Sequence, residues 1–103
     1  MTDVTASQTL CKQPSEKRVY EMQFANLLTT GETVTGIFSV NSELMGGGTS
    51  DLTIIDETVV DSNKVTMWIS GGAHAQRYRV EVIVGTSGGA ILEGDGILKV
   101  SDK

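Results

Sequence analysis

Between Val65 and Val84 the chain alternates apolar and polar residues twice over, with a glycine pair in between. Val65, Met67 and Ile69 share one parity, and Thr66, Trp68 and Ser70 take the other. After Gly71-Gly72 and a polar turn, Tyr78, Val80, Val82 and Val84 alternate with Arg77, Arg79 and Glu81, and the pattern breaks at Ile83. A period of two places successive side chains on opposite faces of a strand, whereas a helix would scatter these apolar positions round its circumference. The stretch predicts two strands of opposite direction, each with one buried and one polar face, as the central pair of the chain.

The remaining sequence reads as strands added around that pair. From Lys17, a first strand turns Tyr20, Met22 and Phe24 inward. A short helical turn is expected over Ala25 to Leu28, then a Gly- and hydroxyl-rich turn at Thr29 to Glu32. Val34, Gly36, Phe38 and Val40 share the inner face of the next strand, with Thr33, Thr35, Ile37 and Ser39 on the other. Residues 41–50 read as a loop. Leu52 and Ile54 mark a third strand and Thr58 to Val60 a short fourth, and Asp61 to Lys64 turn the chain into the central pair. Gly85 to Gly89 read as a hairpin connection to a last strand, Ala90 to Val100. In that strand Gly94 and Gly96 signal a bulge or a close backbone approach.

About seven short strands and no helix of ordinary length suit an all-β, two-sheet antiparallel sandwich. Strand parity gives the expected core: Tyr20, Met22, Phe24, Val34, Phe38, Val40, Leu52, Ile54, Val65, Met67, Ile69, Tyr78, Val80, Val82, Val84, Leu98 and Val100. A Tyr opening a long inward-alternating strand resembles the tyrosine corner of immunoglobulin-like sandwiches, whose hydroxyl bonds back to the preceding connection. Where an antibody domain carries its second cysteine, two residues on, this chain has Val80, so packing alone must hold the sheets together. By parity Trp68 points outward, and beside outward Arg77 and Arg79 it would form an interface anchor.

At 103 residues the chain makes one domain, expected over residues 17–103 and preceded by an arm, residues 1–16. The arm is rich in Thr, Ser, Gln and charge, and buries too little apolar surface to order alone. It is expected to be flexible and to order against a neighbouring subunit, with Thr5, Thr9 and Leu10 adding to an exposed sheet edge.

Several function classes are disfavoured. A net charge of −5 argues against a nucleic-acid footprint and against an anionic membrane surface. No apolar run approaches the roughly 20 residues a bilayer needs, and the N-terminal residues lack a leader's apolar core, so the chain is expected to stay where thiols are reduced. Cys11 is the single cysteine and His74 the single histidine, which rules out an intrachain disulfide and leaves no metal pair. Gly46-Gly47-Gly48 has no following Lys and signals no helix, so it is a loop and not a phosphate cradle. Glu93-Gly94-Asp95-Gly96 and Asp56-Glu57 echo calcium loops without their repeated ligand spacing. No catalytic constellation emerges, and neither a cofactor nor a metal is expected.

Trp68-Ile69-Ser70-Gly71-Gly72, followed by Gln76, Tyr78 and Val80, resembles the Trp-Leu-Ser-Gly-Gly…Tyr-x-Val signature of small bacteriophage virion proteins, the fibre-tail adaptors. The likeness extends to Thr30 to Val34, Leu52-Thr53-Ile54 and Leu98-Lys99-Val100. Ala73 stands where the family carries Thr, and Ala75 where it carries Gly. The resemblance implies a non-enzymatic virion component with an immunoglobulin-like fold, made in the host cytoplasm and joining a tail or neck to its fibres or spikes. Its partners would be those virion proteins, with copies set in a ring. A capsid decoration protein is one alternative, and a carbohydrate-binding module using Trp68 and Tyr20 as sugar platforms is another.

Overall fold

A computed structural model describes residues 9–101. Seven strands follow in order: β1 Thr9–Lys12, β2 Arg18–Gln23, β3 Val34–Leu44, β4 Leu52–Val60, β5 Lys64–Gly71, β6 Arg77–Thr86 and β7 Ile91–Val100. A single 3-10 turn, Ala25–Leu27, follows β2. The strands form a four-stranded sheet, β1-β7-β6-β3, facing a three-stranded sheet, β2-β5-β4. This is the expected all-β sandwich of immunoglobulin-like topology.

The alternating stretch splits between the two layers. β5 is the middle of the three-stranded sheet, and β6 lies inside the four-stranded one. They are therefore not hydrogen-bonded to each other. Gly71 and Gly72, at φ +84° and +94°, begin the connection that carries the chain across the sandwich. Val65, Met67 and Ile69 then meet Tyr78, Val80, Val82 and Val84 from opposite sides of one core, and all seven are almost wholly buried.

Met22, Phe24, Val34, Leu98 and Val100 complete the centre. Phe24 is fully shielded, and its ring and Met22 approach Gly94 from the opposite sheet. A Cβ built at Gly94 would fall 2.9 Å from Met22 Cγ and 3.1 Å from Phe24 Cζ. Close approach, with the β6–β7 register unbroken, is therefore what Gly94 supplies.

Phe38 corrects the expected core, being 62 % exposed. The β3–β6 register slips by one residue twice, between Val34↔Thr86 and Gly36↔Gly85 and again between Ile37↔Val84 and Ser39↔Ile83. The first slip moves Ile37 to the inner parity, and the second makes Phe38 the extra residue, sends its ring outward and returns Val40 to the inner face. A further bulge, in the other sheet between Ile55 and Thr58, fuses the two short strands expected at 52–60 into one strand, β4. Asp56 takes φ +57° there, and exposed Asp56 and Glu57 lie on an edge strand, where kinks and charge discourage edge-to-edge pairing.

The pairing is not wholly antiparallel. β1 runs parallel to β7, from Thr9↔Ile97 to Lys12↔Val100. The expected arm thus ends in a strand of the chain's own sheet, while residues 1–8, including Thr5, lie outside the described residues. An unpaired edge of β7 offers a row of backbone donors and acceptors, which a short segment can satisfy without an apolar pattern of its own.

Candidate interaction surfaces

Two tyrosines tie the connections to the sandwich. The Tyr78 hydroxyl accepts from the Ala73 N–H at 2.9 Å and donates to Asp51 Oδ1 at 2.5 Å. It thereby holds the β5–β6 connection, as a tyrosine corner does, and also the loop before β4. Burial first, then the Asp51 carboxylate, raise the phenol above the usual tyrosine range, with the Ala73 N–H opposing. The phenol therefore remains a donor at neutral pH. Tyr78→Phe leaves both partners without the hydroxyl and is expected to cost about 1–3 kcal/mol. Urea denaturation checks this, since an unchanged midpoint would mean that water replaces both bonds.

Tyr20 has the matching role for β1. Its hydroxyl donates to the Cys11 carbonyl at 2.9 Å, so a strand of one sheet holds the edge strand of the other. Ser101 N–H donates to the Lys12 carbonyl at 2.9 Å. The Lys12 side chain is buried, and its ammonium donates to the Gln13 and Pro14 carbonyls at 2.6 and 3.3 Å. Burial lowers its pKa below the usual lysine range, with Glu16 pulling it back up.

The outer face of the three-stranded sheet carries a row of apolar side chains in register, Val19, Trp68 and Ile55. Val19 and Trp68 are 51 % and 40 % exposed. Lys17 Nζ lies 5.8 Å from the Trp68 ring centroid, within cation–π range.

The structure does not bring together every residue singled out from the sequence. Trp68 belongs to one outer face and Arg77 and Arg79 to the other, because β5 and β6 lie in different sheets. Arg79 is paired with Glu43 at 3.0 Å and with Glu81 at 3.8 Å. Tyr20 packs against the core while Trp68 points away from it, so the two do not form one sugar platform. The backbones of Thr9 and Leu10 pair with Ile97 and Leu98 of their own chain. Parity along the sequence tells in from out, and nothing in it tells which sheet a strand joins.

No helix among the described residues is long and apolar enough to cross a membrane. Two facing sheets with tied connections define the chain as a small immunoglobulin-like β-sandwich domain. The chain belongs to the family described as podophage GP4 fiber-tail adaptor protein gp77, which matches residues 12–99, from β1 into β7. No curated protein matches the chain. Membership makes it a phage structural protein of the virion tail, with other virion proteins as its partners.

Proposed function

We propose that the chain is the rigid coupling piece between the tail and its fibres, acting without catalysis. The sandwich sets the spacing, while the residues preceding β1 and the loop tips dock onto tail or neck subunits on one side and fibre or spike subunits on the other. Copies made in the host cytoplasm assemble as a ring about the tail axis. The family match over residues 12–99 carries this reading. Thr9 and Leu10 already pair with the chain's own β7, so Thr5 and its neighbours are the arm's contacts with a partner. Such a segment loses entropy on docking and gains a wrapped interface. Trp68 and the row beside it provide a further contact, and Arg77 and Arg79 contribute from the opposite face.

Deletion of residues 2–8 tests the arm. Virions carrying the shortened chain are expected to lose most of their fibres, counted as fibre protein per particle. A full fibre complement would overturn docking through the arm.

A further inference from the structure

The outer face of the four-stranded sheet joins an apolar corner to an acidic row. Ile91 stands opposite Gly85 on this face, and the Phe38 ring covers Gly85, where a Cβ would fall 2.9 Å from its Cζ. Phe38 and Ile91 are 62 % and 66 % exposed. The next rows of the face are Glu93–Ile83–Ser39 and Asp95–Glu81–Asn41. Glu81, Glu93 and Asp95 bring carboxylate oxygens within 4.8 Å of one another. Asp95 Oδ1 is shielded from solvent and has no hydrogen-bond partner among the described residues. Repulsion, from Asp95 first and Glu81 second, pushes the Glu93 carboxyl up. Beyond this row come Ile97–Arg79–Glu43, where Arg79 pairs with Glu43 at 3.0 Å and reaches Glu81 at 3.8 Å, and then Lys99–Arg77.

We propose that this face docks a segment of another virion protein that presents an arginine or lysine beside an apolar side chain. The cation enters between the three carboxylates, and the apolar side chain lies on Phe38 and Ile91. Charge complementarity supports this occupant, because a cation relieves the crowding of the carboxylates and supplies the donor that Asp95 Oδ1 lacks. A second copy of this chain fits worse. A two-fold contact centred on the Asp95–Glu81 row, midway along the face, would set carboxylates on carboxylates and the apolar corner on Arg77 and Lys99. Phe38 and Ile91 are the exposed apolar anchor that interfaces place beside a charged contact.

This inference rests on the adaptor reading, and one experiment separates the two. Particles from a strain lacking this chain are incubated with the purified full-length chain and the fibre protein, and the copies of each retained per particle are counted. Phe38→Ser and the double variant Glu81→Gln/Glu93→Gln are compared with wild type after thermal melts confirm that each is folded. Each variant is expected to lower retained chain or retained fibre at least about tenfold. Raised salt is expected to weaken wild-type retention more than that of the double variant. Wild-type retention of both components by both variants would overturn the docking face and leave the adaptor reading intact. Failure of the wild-type chain to bind particles would overturn both. Retention lost in chelator and restored by calcium would make the carboxylates a metal site instead. Self-association of the wild-type chain that Phe38→Ser abolishes would make the occupant a second copy. Either result overturns the proposal.

Discussion

Phe24→Ala is expected to destabilise the sandwich by about 3–5 kcal/mol, the usual cost of emptying a buried aromatic site. Phe24 is fully shielded, at the point where β2 leaves the three-stranded sheet for the 3-10 turn. Its N–H donates to the Asn63 carbonyl at 2.8 Å, which fixes the backbone and so limits how far the site can collapse into the void. The ring fills the space over Gly94 that no side chain of β7 occupies. A domain of this size is stable by only about 5–15 kcal/mol, so the variant should stand close to unfolding at ambient temperature. The urea midpoint gives the answer. A loss under 1 kcal/mol would mean that Met22 and its neighbours close the cavity. Phe24→Leu, which keeps more of the volume, should lose less.

Gly71→Ala is expected to cost about 2–5 kcal/mol, for a reason unrelated to burial of apolar surface. Gly71 takes φ +84°, and a Cβ there would fall 2.6 Å from the Asp51 carbonyl oxygen. The obstacle is backbone, so a rotamer change offers no relief, and the start of β4 must shift from its partner in the Leu52↔Gly71 pair. Moving Asp51 also withdraws the carboxylate that receives the Tyr78 hydroxyl. Gly71→Ala and Tyr78→Phe should therefore fall short of additivity in a double-mutant cycle. Additive losses would show that Asp51 stays in place and that the strain remains local. Ala75 holds φ +69° in the same connection, so this crossing already contains one non-glycine residue in a left-handed conformation.

How much of this was legible in the sequence depends on the distance over which each feature is decided. The inward parity of Tyr78 to Val84 is settled residue by residue, and the corner hydroxyl follows from where that strand begins. Phe38 was misread because parity was carried from Val34 to Val40 without a break. The two slips that reverse and then restore it depend on pairing with β6, although Gly36 and Gly85, facing each other between them, leave room for such irregularities. Trp68 and Arg77 read as neighbours because they are only nine positions apart, yet a crossing between layers intervenes. β1 had no local signature, since its partner is the opposite end of the chain. Ile83 and Ile91 did leave a signal. Ile83 shares its parity with Arg77, Arg79 and Glu81, and Ile91 shares its own with Glu93, Asp95 and Lys99, where Ile97 is a further aliphatic residue, and such repetition on an outward parity is the signal of a contact surface.

The parallel pairing of Thr9–Lys12 with Ile97–Val100 also sets an order of events. Thr9–Lys12 leaves the ribosome before the edge of Ile97–Val100 that receives it, with five strands made in between. The earlier segment must therefore wait, unpaired, for the later one. Until then the nascent sandwich has a vacant rim, and closing it completes a ring of sequence that encloses β2 to β6.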